Sequence, residues 1–147
     1  MHSSNLPQNS TDSSPGFLVI CDSRTKIFIP MKDIIRLESK RVYTIVYTKD
    51  RKQHVCSRNI KAVMEQLQSS RFFRVHKSHV INLHEVKSFC YARGGFVTLS
   101  DDTVIDVSQR KKAAFLEDLK KFTKDYRLNA FIKKSNALLK SELTLHA

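Results

Sequence analysis

The run RVYTIVYTKD, residues 41–50, constrains the fold more than any other stretch of this chain. Tyr43, Ile45 and Tyr47 fall on one side of it, and Val42, Thr44, Val46 and Thr48 on the other. A period of two belongs to an extended strand, and β-branched and aromatic residues favour that state. The same grammar recurs on both flanks. FLVICD and KIFIP surround the turn SRT and predict a hairpin. KDRK is a turn, and QHVCS is its return strand. Further on, VKSFCYA, FVTLS and VIDVS are short strands, separated by the turns Arg93-Gly94-Gly95 and DDT.

Helical spacing is confined to a few places. Ile60, Val63, Met64 and Leu67 fall at i, i+3, i+4 and i+7, one face of a helix that Ser57 is expected to cap. Phe115, Leu119 and Phe122 line the inward face of a last helix, with Ser108 as its expected cap. Ile34, Ile35 and Leu37 suit a short helical turn leading into a strand. About nine short elements result, mostly antiparallel strands with one or two helices.

The ends differ from this domain. Residues 1–16 carry no Lys or Arg and almost no apolar side chain, so they read as a disordered tail. The domain proper is 17–122. In 123–147, Leu128, Phe131, Ile132 and Leu139 sit at helical spacing, which predicts a C-terminal amphipathic helical extension. No apolar run has the length of a membrane span, and the N-terminus lacks a signal peptide's apolar region. The expected location is the cytoplasm. Cys21, Cys56 and Cys90 are widely spaced and odd in number, which fits buried thiols rather than a disulfide framework or a zinc ribbon.

Enzymatic chemistry finds little support. His76, His79 and His84, with Cys90 nearby, resemble a zinc ligand set in residue type. In an extended segment His76 and His79 are expected on opposite faces, and His79 and His84 are five apart, so no metal site is expected. Ser78 lies between histidines without a nucleophile elbow. The three glycines build neither a P-loop nor a dinucleotide fingerprint. Asp101 and Asp102 read as turn formers rather than converging carboxylates. No cofactor and no small-molecule substrate are implied.

Charge points elsewhere. Lys and Arg number 26 against 14 Asp and Glu, a net charge of +12, which suits a polyanionic partner. The cations gather at element junctions: ESKR (38–41), RVHKSH (74–79) and SQRKK (108–112). Loops held by a rigid scaffold are where binding residues sit. Lys and Ser suit phosphate, and Arg suits the O6/N7 edge of guanine.

FFRVHKSHVINLHEV, with the flanks IPMKDIIRLESKRVYTIVYT and VSQRKKAAFLEDL, resembles the LytTR signature. LytTR is the LytR/AlgR-type DNA-binding domain of bacterial transcriptional regulators, many of them response regulators of two-component systems. The resemblance covers about residues 17–122. His79 stands where the family usually has an aromatic residue. The resemblance implies an elongated fold of small antiparallel β-sheets with short helices, whose loops enter successive grooves of double-stranded DNA. Paired direct-repeat sites and a homodimer on DNA are the assemblies it suggests. By position, the DNA-binding residues would be Lys40, Arg41 and Tyr43, then His76, Lys77 and Ser78, then Gln109, Arg110 and Lys111. Lys77 and Arg110 would meet base edges and the rest phosphates, while Arg74 and Asn82 would hold the motif's backbone. His76 is also readable as a structural histidine. The alternative is a non-enzymatic protein-interaction module, an antagonist or adaptor, that uses the same fold and the C-terminal helix.

Overall fold

The computed structural model describes residues 16–124. Three antiparallel sheets build the domain. Strands β1 (Phe17–Asp22) and β2 (Thr25–Pro30) form a hairpin around a two-residue turn. A single 3-10 turn, Met31–Asp33, leads into β3 (Ile34–Lys40). The central sheet adds β4 (Tyr43–Thr48), β5 (Gln53–Cys56), β6 (Phe72–His76) and β7 (His79–Asn82), in the order β5-β4-β3-β7-β6. The third sheet contains β8 (Val86–Cys90), β9 (Phe96–Leu99) and β10 (Val104–Asp106). Helix α1 (Ile60–Leu67) joins β5 to β6, and a helix α2 over residues 112–124 follows β10.

The central sheet is covered on both faces. Ile34, Leu37, Val46, Phe72 and Val80 pack against the β1–β2 hairpin and against Ile60, Val63 and Leu67 of α1. Ile35, Val75 and Ile81 pack against Val97, Leu99 and Ile105 of the third sheet and against Phe115 of α2. β4 explains why both of its faces carry strand formers: Thr44, Ile45 and Val46 are all buried, as a two-sided strand requires. Ile34 and Ile35 reach opposite cores by the ordinary alternation of a strand, and the register shift between Ile34 and Arg36 lets Ile34 and Leu37, three residues apart, share one core.

The mainly antiparallel β architecture expected from the sequence is present. Several local expectations are corrected. Ile34, Ile35 and Leu37 belong to β3 itself, and the helical turn precedes them. Asn59, not Ser57, caps α1: its Oδ1 accepts from the Ala62 amide at 2.8 Å. Ser108 does not open α2; residues 108–111 form a separate turn in which Lys111 N donates to Ser108 O at 2.9 Å. Gly16, expected in the tail, belongs to the fold: its carbonyl accepts from Met31 N at 2.9 Å. Cys56 is buried as expected, but Cys21 faces solvent on the outer side of β1. The tail up to residue 15 lies outside the described residues, as do Leu128, Phe131, Ile132 and Leu139 of the expected C-terminal helix. Among the described residues no helix is long and apolar enough to cross a membrane.

Candidate nucleic-acid interface

The three basic junctions are three turns, and backbone hydrogen bonds tie them together. The first is the Arg41-Val42 turn between β3 and β4, where Lys40 faces Tyr43. Arg41 adopts a left-handed φ of 57°, which costs an L-residue about 1 kcal/mol or more. The fully paired hairpin beneath it over-determines that conformation. Lys40, Arg41, Val42 and Tyr43 are all exposed.

The second is the Lys77-Ser78 turn between β6 and β7. The pairing slips here: Arg74 faces Val80, yet His76 faces His79. Val75 is the extra residue of a bulge, and its side chain is fully buried. Arg74 reaches around the turn, its Nη2 donating to Lys77 O at 2.6 Å. His76 Nδ1 accepts from the Ser78 amide at 3.2 Å. Asn82, fully buried, closes the motif: its Nδ2 donates to Ile34 O at 2.8 Å, and its Oδ1 accepts from His84 N at 3.0 Å. Arg74 and Asn82 therefore hold backbone, as the sequence suggested, and His76 has a structural bond of its own.

The third turn, 108–111, carries Gln109, Arg110 and Lys111, all exposed. Two long-range bonds join the set. Ser39 N donates to Ser78 O at 2.8 Å, linking the first turn to the second. Ser108 N donates to Val75 O at 2.8 Å, linking the third to the bulge. The bulge frees that carbonyl from the ladder and presents it to the incoming turn. Because β3 and β7 are antiparallel neighbours, the β3–β4 and β6–β7 turns emerge at the same end of the central sheet. Two strand spacings of roughly 5 Å separate their centres, about 10 Å in all.

Charge is distributed unevenly between the two ends. Among the described residues, the ion pairs join Arg36 to Glu38, Lys49 to Glu85, Lys52 to Asp50 and Lys87 to Asp102. Lys49, Lys52, Glu85 and Asp102 line a cleft of about 720 Å³ at the other end of the sheet. That end lies about 20 Å away, the length of a seven-residue strand. No ion pair involves Lys40, Arg41, Lys77, Arg110 or Lys111 among the described residues. The cations at the turns thus have no ion-pair partner among the described residues, whereas Lys49, Lys52 and Lys87 at the far end do, with Arg51 there left unpaired.

Behind the turns lies a polar strip. The Arg36 guanidinium sits 3.5 Å from the Tyr47 ring centroid and bonds Glu38 at 3.2 Å; Tyr47 Oη donates to the same carboxylate at 2.7 Å. Burial alone would raise the Glu38 carboxyl, but these two hydrogen bonds outweigh it and hold the group below the usual carboxylate range. Glu38 pairs in register with His79. Burial pushes the His79 imidazole down, and Arg36 and His76 push the same way against Glu38 and Asp106. The expectation that His76 and His79 lie on opposite faces is overturned. The two-residue turn sets them directly across the hairpin, with ring centroids 5.7 Å apart. Even so, no three His, Cys, Asp or Glu side chains among the described residues group to hold a metal ion.

One neighbouring basic group was not anticipated. Gln109 Nε2 donates to Gly94 O at 3.2 Å, which places the β8–β9 loop and its exposed Arg93 beside the third turn. In the sequence ARGG reads only as a turn, and nothing local says what the turn will touch.

Known proteins share this fold. Residues 24–120 match the family described as LytTr DNA-binding domain. The chain belongs to that family. It is 32% identical over 88 residues to the transcriptional regulatory protein YpdB of Escherichia coli K12, a match spanning 54% of this chain and 36% of the relative. It is 35% identical over 57 residues to the heme-containing CO-sensing transcriptional regulator RcoM 2 of Paraburkholderia xenovorans, spanning 39% of this chain and 21% of that one. The chain therefore corresponds to only part of each regulator. A LytTr DNA-binding domain from Bacillus cereus superposes with a TM-score of 0.63 over 72% of this chain and 98% of its own, at 18% identity, which shows the shared fold.

Proposed function

We propose that this chain is a sequence-specific, double-stranded DNA-binding transcriptional regulator, acting in the cytoplasm, that presses its three basic turns into successive grooves. The observation that carries this reading is the pair of backbone bonds, Ser39 N to Ser78 O and Ser108 N to Val75 O, that joins three cationic turns into one edge. The β3–β4 and β6–β7 turns, about 10 Å apart, fit side by side within one major groove about 12 Å wide, which leaves the third turn for the adjoining groove. Lys77 and Arg110 are assigned to base edges. Lys40, Arg41, Tyr43, Ser78, Gln109 and Lys111 are assigned to phosphates and sugars, which fix register without reading sequence. His76 belongs to the same edge, but its Nδ1 is engaged by Ser78, so only Nε2 is available to DNA.

Paired direct-repeat sites and a homodimer assembled on them fit a domain of this size. The longer relative RcoM 2 is named as CO-sensing, and control of this domain by an attached sensing segment is proposed by analogy with it. No catalytic role is assigned to any residue. The test is selection of duplexes from a random library, followed by anisotropy on the enriched sequence and a shuffled control. Enrichment with at least a hundredfold preference supports the reading; binding without preference reduces it to a general polyanion binder.

A further inference from the structure

We infer that the β8–β9 loop is a fourth DNA contact, in which Arg93 grips a phosphate flanking the step met by Arg110. This rests on the DNA-binding reading above and extends its footprint by one element. Three contacts lock the loop to the third turn. Gln109 Nε2 donates to Gly94 O at 3.2 Å, and Val107 N donates to Gly95 O at 3.1 Å. A side chain on Gly95 would come within 3.4 Å of Lys112 Cε, so the Lys112 stem lies along the bare glycine backbone. The loop also closes on itself, Gly95 N donating to Ala92 O at 3.1 Å.

Its conformation is unusual for an arginine. Arg93, Gly94 and Gly95 have successive positive φ values of 54°, 83° and 102°. Glycine accepts this freely, whereas Arg93 does so at a cost that the ties to Gln109 and Val107 offset. The result is an exposed arginine on a stiffly held loop, and no ion pair involves it or Lys112 among the described residues. Acidic residues are absent from both segments that meet here: none occurs from Val86 to Ser100 or from Val107 to Leu116. Arg93, Arg110, Lys111 and Lys112 thus gather where the loop meets the third turn, with the exposed Asp106, paired with Phe96 beside Gly95, as the adjoining carboxylate.

The chemistry favours phosphate over bases. The loop lies to the flank of the three-turn edge, and flanking elements meet backbone rather than groove floor. Guanidinium donors match a phosphate in a fork geometry that an ammonium cannot copy. Removing one such contact weakens binding evenly across sequences and lowers the salt slope by about one.

The experiment compares the full chain with Arg93→Gln and Arg93→Lys by anisotropy, from 50 to 200 mM salt, on a selected duplex and on its shuffled control. Thermal melting checks that each variant folds. The expected result is a loss of roughly three- to tenfold for Arg93→Gln, equal on both duplexes. Its log K against log salt slope should be shallower by about 0.9, with partial recovery in Arg93→Lys. Unchanged affinity and slope on a duplex that the unaltered chain binds overturns the fourth contact while leaving the other three intact. Loss confined to the selected duplex overturns the phosphate assignment. Failure of the unaltered chain to bind any duplex overturns both this inference and the reading beneath it.

Discussion

Asn82→Ala offers the sharpest test of how the central motif is anchored. β3 and β7 pair from Glu38–His79 to Arg36–Ile81, and the register shift between Ile34 and Arg36 disturbs β3 beyond that point. The Asn82 carboxamide reaches Ile34 O at 2.8 Å, where regular pairing with β7 has stopped. Its oxygen also holds His84 N at 3.0 Å, which starts the 3-10 turn before β8. Alanine removes both partners. Stranding a buried carbonyl costs about 1–3 kcal/mol, and losing the bond to the half-buried amide adds about 0.5–1.5 kcal/mol. The sum, about 1.5–4.5 kcal/mol, corresponds to a fall in melting temperature of roughly 6–36 °C at about 4–8 °C per kcal/mol for a domain near one hundred residues. Asn82→Asp keeps the acceptor but sets a carboxylate against Ile34 O, so it should destabilise at least as much. Thermal and urea unfolding followed by circular dichroism give both values. A loss below about 1 kcal/mol for alanine, or an aspartate variant more stable than the alanine one, refutes the anchoring argument. Asn82 lies at the opposite end of β7 from the Lys77-Ser78 turn, so DNA affinity measured well below the lowered melting temperature should stay near that of the unaltered chain.

Lys77→Ala and Arg110→Ala should each cost about 1–3 kcal/mol on the selected site and less on random duplex, by anisotropy; equal losses on both reassign them to phosphate. Stability should fall on acidification. Burial depresses both His79 and His84, so the unfolded chain binds more protons than the folded one as pH drops below the ordinary imidazole value of about 6.5. The stabilising contribution is present above that value and is lost toward the lower folded values. Melting temperatures from pH 7.5 to 5 should show the decline, and His79→Phe should flatten it; an unchanged pH dependence in that variant removes His79 from the explanation.

Much of the fold was readable because it is local. The alternation in 43–48, the turn at SRT and the apolar face of Ile60, Val63 and Leu67 each express one short-range rule, and each element formed. The misjudged caps show where such rules stop. Ser57 and Asn59 are comparable cap residues, and geometry alone chose Asn59. Bulges were invisible, since an extra residue such as Val75 leaves no trace in composition. The turns were legible as basic junctions, but their adjacency was not. It depends on β3 pairing with β7 some forty residues away, and on Ser108 finding the Val75 carbonyl. Arg93 is hidden for the same reason: Gln109, which holds the neighbouring Gly94 carbonyl, is fifteen residues on from that glycine. The rings of His76 and His79 became neighbours only once the turn proved to be two residues long.

The central claim is that one end of the central sheet, and not the other, meets the duplex. Backbone amide chemical shifts of the isotopically labelled full chain, followed during titration with a selected duplex, address it directly. The largest changes should cluster in 40–43, 76–78 and 108–111, with 49–52 and 100–102 left near their free positions. Perturbations concentrated around Lys49, Lys52 and Asp102, with the three turns silent, would contradict it.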